Sequence, residues 1–580
     1  MRECFSWREV CPGVPGKNGR TLIWTLAILL ITIAAAVPRS AAQQNHESHQ
    51  QNLDWRYYGN DPGNMRYQNV DQINTTNVSQ LKPAWVFHTG VHDKDASMET
   101  TPIVLNGVMY LTSGDDDVFA VNAGSGSQIW AYHPNDMPPV SKLPLCCARN
   151  NRGVAEGQGR LYLARLDATL VALDQNTGQQ LWKTTVDDWH NGYTMTIPPQ
   201  YVNGMVIVGV SGGEYFIRGH VDAYNAKTGS LIWRFYTTDP NTFAGDSWKQ
   251  GGGPVWQNPS FDLGLGMLYF SVGNAGPDIN GVPRAGTNLY TTCVVALDIA
   301  TGTLRWYFQE SHHDLWDYDA TPPTALFTMN GIPAIAHVGK TGYLFILDRR
   351  TGTPLYNVIE TPVPTEPAWQ NPWPTQPVST IESLAPHEVG PLPAGYTGAP
   401  QWTPPQETTY AIQPGDSGGT EWPPSAFSPR TNFIYHHARY APTTFYTTPT
   451  NTSGGTYPGW GSITEDVPGV DYGLYGAIDS TTGKIVWKIK VSQALSGMTV
   501  GGDLVFFGDN SGMFYGVNAL SGQILWTFNG LSIKGAGAPT AAPVVYTVNG
   551  REYVAMAFGG QPDSDTPLGD AMVAFALPQQ

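Results

Sequence analysis

Cys146 and Cys147 stand side by side in LCCARNNRG, in a chain that has only five cysteines. Neighbouring Cα atoms are about 3.8 Å apart across a trans peptide, short of the roughly 4.4–6.8 Å usual for a disulfide. A bridge between them would be stiff and would close almost no loop. Unbridged, the two would be small buried apolar side chains, and the residues alone leave both readings open. Asp317 and Asp319, in DLWDYD, are two positions apart and share a side if the segment is extended. Taken alone, Asp319 reads as capping a turn before Thr321-Pro322.

Other patterns carry less. Residues 209–213 (GVSGG) have the G-x-S-x-G spacing, but no helix is expected after them and a hydrolase elbow needs one. His312-His313 and His436-His437 are adjacent pairs, whose side chains would point to opposite faces of a strand. No C-x-x-C-H occurs, so no attached c-type haem is expected.

The elements that must position such residues follow from a repeat. One phrase recurs as AVNAGSGSQIW (120–130), ALDQNTGQQLW (172–182), AYNAKTGSLIW (223–233), ALDIATGTLRW (296–306), ILDRRTGTPLY (346–356), AIDSTTGKIVW (477–487) and GVNALSGQILW (516–526). In each, an apolar strand ends in Asp or Asn, a Thr/Ser-Gly turn follows, and a second strand ends in an aromatic residue. Trp85 closes a further degenerate copy, so eight terminal aromatics are expected, most about 50 residues apart. That interval holds a four-stranded blade, and radial closure of blades protects sheet edges. The pattern predicts an all-β, eight-bladed β-propeller with Trp-docking repeats, one domain over 43–580, its last strands (REYVAMAFGG and DAMVAFALP) completing a blade begun near the N-terminus. Abundant Gly (64), Pro (46), Trp (19) and Tyr (28) with only 13% charged residues suit short strands and tight turns. Two intervals are long, Trp233 to Trp306 and Tyr356 to Trp487; the second holds a Pro- and Trp-rich tract around 361–424 that reads as extended loop. Insertions on a rigid scaffold are where binding residues concentrate.

Residues 1–42 read as an export signal: Arg2, Arg8, Lys17 and Arg20 precede an apolar run, and Ser40-Ala41-Ala42 offers a cleavage site. An uncleaved anchor is the alternative. Removing the segment takes five of 31 basic and two of 47 acidic residues, leaving 26 against 45 and a formal charge of −19. Nucleic acid and anionic membrane surfaces are thereby poor partners, and a basic protein a well-steered one. Cys4 and Cys11 would leave with the signal; Cys293, in TTCVVALD, reads as a small buried hydrophobe.

With this repeat, the stretches CCARNNRGVA, SGGEYFIRGHVDAYNAKTG, SWKQGGGPVW, SVGNA and HHDLWDYDATPP resemble the pyrroloquinoline quinone (PQQ) dependent alcohol dehydrogenases, eight-bladed periplasmic quinoproteins, over nearly all of the chain beyond residue 42. The resemblance implies a Cys146–Cys147 disulfide lying flat against one face of the quinone, with Trp256 over the other. It implies Glu214, Asn274 and Asp317 as metal ligands, each just beyond an expected strand, their oxygens suiting a hard cation. Asp319 falls where an acidic residue marks lanthanide-dependent members; a trivalent ion of calcium-like radius favours one more anionic oxygen. The cofactors expected are PQQ and a lanthanide ion, with Ca²⁺ the alternative. Glu99, Arg152, Thr196, Ser211 and Gly212 match cofactor-contacting positions, and Lys340 matches the basic residue near the reactive quinone oxygens. Three departures fall on the rim of the site: Pro254 where a Thr is common, Glu421 where Asn is common, and no tryptophan near Leu495–Met498.

The activity so implied is periplasmic oxidation of primary alcohols to aldehydes, Asp317 acting as general base. Electrons would pass to a basic cytochrome c; a homodimer is left open. The rivals are a quinoprotein sugar or polyol dehydrogenase, since HHDLWD also resembles that branch, and a cofactor-free propeller scaffold of the cell envelope.

Overall fold

The computed structural model describes residues 52–91, 93–455, 457–564 and 566–579; the expected export signal lies outside them. Each repeat phrase folds as its chemistry dictates. In the copy that pairs strand Val118–Asn122 with Gln128–Tyr132, the Asn122 side chain accepts from the amides of Gly124 and Ser125, both at 3.0 Å. Asp174 and Asp298 hold their turns in the same way. Short Asx side chains are suited to capturing a nearby amide like this. The turn ends on a glycine at positive φ, for which Gly126 (φ 73°) is typical. A Cβ there would also lie 2.7 Å from the Trp85 ring, so space as well as backbone conformation requires Gly.

Described residues form eight antiparallel sheets of four strands, one extended by a short fifth. Six come from successive chain segments spanning 103–132, 155–185, 200–236, 260–309, 325–354 and 426–491. The seventh, 499–529, takes Tyr67–Gln68 as a parallel edge. In the eighth, Lys82–His88 pairs with Ala571–Ala576, which pairs with Arg551–Phe558, so strands from both ends of the chain share one sheet. Inner strands such as Met205–Gly209 and Leu504–Gly508 are buried throughout, because neighbouring sheets cover both faces. Outer strands alternate; Lys484–Val491 buries Trp487 and exposes its lysines.

The terminal aromatics form a chain of contacts that closes on itself. Trp85, Trp130, Trp182, Trp233, Trp306 and Trp487 each donate Nε1 to a carbonyl in the next repeat turn, at 3.0–3.3 Å. Tyr356 does so through its hydroxyl to Ser480 at 2.8 Å. Trp526 donates to Leu81 at 3.3 Å, returning to the N-terminal strand. These rings bury large apolar areas and leave no buried N–H unpaired.

The Pro- and Trp-rich tract is not loop alone. Val358–Pro362 pairs with Thr375–Ser379, and Tyr410–Ile412 joins Thr443–Tyr446 and Ile463–Asp466 in a three-stranded sheet. Trp316, Tyr318, Trp402 and Trp460 pack in one apolar cluster under it. Among the described residues no helix is long and apolar enough to cross a membrane.

Candidate active site

Loops leaving the inner strands converge on a cavity of about 330 Å³, within the ~300–1,000 Å³ usual for small-molecule sites. Cys146 and Cys147 are disulfide-bonded and line it. Their loop is anchored on both sides: the Tyr215 hydroxyl donates to Leu145 O at 2.9 Å, and Arg149 N to Asp95 O at 2.9 Å. Ala148 follows the pair at φ 67°, a left-handed conformation that costs a non-glycine residue about 1–3 kcal/mol and that surrounding contacts must hold.

Arg152 is buried at one side. Its guanidinium lies 2.7 Å from Glu99 Oε2, donates to Thr196 Oγ1 at 2.8 Å, and sits 4.9 Å from the ring centres of both Trp256 and Trp422. Thr196 meets Ser211 Oγ at 3.1 Å. Burial raises the proton affinity of Glu99, and Arg152 partly offsets it. Gly212, at φ 113°, passes so close to Gly192 O that a Cβ would approach it to 2.0 Å. Glu214 begins its excursion into the cavity right after this constriction.

The acids gather opposite. Asp317, itself at φ 63°, accepts at Oδ2 from the Lys340 ammonium at 2.7 Å. Glu421 Oε1 lies 3.4 Å from the same nitrogen. Asp319 accepts from Asn274 N at 2.6 Å and from Trp256 Nε1 at 3.1 Å. Burial pushes the Glu214 carboxyl up to about 7, and Asp319 adds to it. Burial also lifts Asp317 well above the carboxylate range; Lys340 pulls it down, and Asp319 and Asp278 push it back up. Lys340 stays charged: burial opposes this, but Asp317, Glu421 and Asp319 more than compensate.

Of the residues singled out from the sequence, Cys146, Cys147, Arg152, Thr196, Ser211, Gly212, Glu214, Trp256, Asp317, Asp319 and Lys340 line this one cavity. Glu99 and Asn274 stand behind its wall, Glu99 against Arg152 and Asn274 against Asp319. Among the described residues no three His, Cys, Asp or Glu side chains are already drawn into a metal-ligating cluster; Asp317 faces an ammonium, and Asp319 an amide and an indole. The donor set nevertheless fits a planar polyanion with a hard cation. Asn274 Oδ1, Arg152 Nε and Trp422 Nε1 are buried without hydrogen-bond partners, which a bound quinone and metal ion would supply.

Sequence reasoning missed Trp422, Tyr457, Trp460, Asp416, Arg439, Gln561 and Asp563, which also line the cavity. Only Trp422 had a signal, following Glu421 in GGTEW. Pro254 and Leu495, two of the departures noted in the sequence, are on the wall as well. His436 and His437 are buried and held neutral, and His437 Nε2 accepts from Glu421 N at 3.0 Å.

Residues 55–465 match the family model for the glucose/ethanol/alcohol dehydrogenase β-propeller domain, and 450–562 match that of outer membrane protein assembly factor BamB. The chain is 30% identical to a quinohemoprotein alcohol dehydrogenase of Comamonas testosteroni, over 94% of this chain and 79% of that one. It is 29% identical to the putative dehydrogenase XoxF of Paracoccus denitrificans, over 92% and 91%. The fold superposes on a europium-containing methanol dehydrogenase with a TM-score of 0.76 at 27% identity, covering 90% of this chain and 98% of that one. The crystal structure of the Comamonas testosteroni enzyme gives 0.75 at 28%, covering 91% and 82%. This chain belongs to the PQQ-dependent, or quinoprotein, alcohol dehydrogenases and has their all-β propeller fold.

Proposed function

We propose that the cavity binds PQQ and one metal ion and oxidises primary alcohols to aldehydes. The observation that carries this is the meeting, in one cavity, of the Cys146–Cys147 disulfide, Arg152, Trp256, Lys340 and the acids Glu214, Asp317 and Asp319. The fold is read as eight blades, each locked to the next by its terminal aromatic ring. Arg152, Thr196 and Ser211 would hold the cofactor, with Glu99 fixing the arginine behind them. Cys146–Cys147 and Trp256 offer flat, rigid surfaces for its ring system. Glu214, Asn274, Asp317 and Asp319 would hold the cation, a lanthanide in preference to Ca²⁺ because of Asp319. Bound PQQ supplies a two-electron, hydride-accepting oxidant, and the cation sharpens its electrophilicity.

Asp317 is the base. Its Oδ2 is committed to Lys340, which leaves Oδ1 to take the alcohol hydroxyl proton. Lys340 favours the ionised form of that carboxylate against the burial that opposes it, and stabilises negative charge developing beside it. Electrons are read as leaving to a cytochrome c in the periplasm.

A second reading is favoured by one observation. The cavity wall also carries Asp416, Arg439, Gln561 and Asp563, groups that would hydrogen-bond a sugar or polyol rather than a simple alkyl chain. One assay separates the two: protein loaded with PQQ and lanthanum or calcium, a dye acceptor, and ethanol, methanol, glycerol and glucose as substrates. Turnover of ethanol or methanol above the others supports the first reading; preference for glycerol or glucose supports the second. Absence of turnover with all four, despite bound PQQ, refutes both.

A further inference from the structure

Asp278 is fully buried, and neither of its carboxylate oxygens has a hydrogen-bond partner. That is costly for an ionised group unless a cation or donors are supplied. The nearby Arg284 does not supply them. Its guanidinium donates to the main-chain carbonyls of Pro277, Asp278 and Asp314 and to Asn288 Oδ1, fixing the loop but leaving the Asp278 side chain unbonded.

The place of this carboxylate is set by the main chain. Asp278 N donates to Gly459 O at 3.0 Å, while Gly459 N donates to Glu214 O at 2.7 Å, so a single glycine ties Asp278 and Glu214 together. A Cβ on Gly459 would fall 2.8 Å from Glu214 O, which keeps the strap close. Four residues earlier in the same loop, Asn274 Oδ1 is likewise buried and unpartnered. Burial lifts the proton affinity of Asp278 well above the carboxylate range, and Glu214 and then Asp319 add to it.

We propose that Asp278 is an additional anionic oxygen donor to the cation held by Glu214 and Asn274, and that it biases the site toward a trivalent ion. The inference rests on the reading that a cation occupies this cavity. Glu214, Asp317 and Asp319 line the cavity together with Lys340, and Asp278, tied to Glu214 through Gly459, adds a fourth carboxylate next to them. A third charge on the ion offsets the repulsion that a fourth carboxylate adds.

The test uses the full chain, stripped of metal and titrated with terbium(III), tryptophan-sensitised emission reporting occupancy and La³⁺ or Ca²⁺ added as competitor. Trp256 bonds to Asp319, so an ion there lies beside an indole. Asp278→Asn keeps the shape and Asp278→Ser is a second variant; an unchanged unfolding midpoint confirms that each is folded. The expected result is a loss of terbium affinity of at least about tenfold, with a smaller loss for Ca²⁺, and emission lifetimes in H₂O and D₂O reporting an extra bound water. Unchanged terbium affinity and lifetime in a folded variant overturn the role of Asp278. Wild-type protein giving no sensitised emission overturns the cation reading itself.

Discussion

Lys340→Met isolates the electrostatics of the proposed base. The substitution keeps an unbranched side chain but removes the ammonium that stands 2.7 Å from Asp317 Oδ2 and 3.4 Å from Glu421 Oε1. Removing one partner of a buried ion pair costs about 3–5 kcal/mol if the other stays charged. Asp317 has another option, because a carboxyl can take a proton, and each unit by which its affinity rises is worth about 1.4 kcal/mol. Its folded-state value is already raised above the unfolded one, by burial first. A carboxyl raised in this way costs stability once the pH exceeds its unfolded value, near 3.9, and the cost grows up to its folded value. Losing Lys340 moves that folded value higher still. The variant should therefore lie close to wild type at low pH and fall progressively below it as pH rises toward 8. Since the ionised form is the base, the acid limb of the turnover–pH profile should shift to higher pH. Unfolding midpoints of metal-free protein from pH 5 to 8, with dye-linked turnover of the loaded enzyme over the same range, give both readouts. A constant stability gap together with an unmoved acid limb would refute the pairing argument.

Asp317→Asn should lower turnover by about 10²–10⁴-fold while PQQ, followed by its absorbance, still binds; turnover near wild type excludes Asp317 as the base. Cys146 and Cys147 should resist alkylation until reduced, and Cys146→Ser should impair turnover more than the unfolding midpoint; two thiols free in the unreduced protein would contradict this. Trp487→Ala deletes a ring packed on Gly522 and its 3.0 Å bond to Ala519 O, and should cost about 3–5 kcal/mol in denaturant unfolding. A loss under about 1 kcal/mol would mean that the terminal aromatics do not lock neighbouring sheets.

Much of the scaffold is legible in the sequence because its rules are local. Asp174 and Asp298 each need an Asx-bonded turn, Gly126 a positive φ, and Trp85 a carbonyl and a glycine to rest on. These needs recur at every copy, so periodicity exposes them. The tract after Tyr356 gives no such signal, and its strands are short: Tyr410–Ile412 pairs with Thr443–Tyr446 only after the chain has supplied two strands, Ala426–Ser428 and Phe433–Tyr440, to a different sheet. In the site, Cys146-Cys147, Arg152, Glu214, Trp256 and Asp317 stand out only through their motifs. Asp278 does not, because one aspartate after a proline reads as a turn; its isolation from every donor exists only in three dimensions. The Trp256–Asp319 bond is equally invisible, since 63 residues separate the partners.

The most direct test of the account is an equilibrium titration of the purified, metal-supplied chain with PQQ, followed by addition of a primary alcohol without any electron acceptor. The account predicts saturable binding of one PQQ per chain, and an absorbance change to the reduced cofactor that depends on the alcohol. Failure to bind PQQ stoichiometrically, or bound PQQ that no alcohol or polyol reduces, would contradict it.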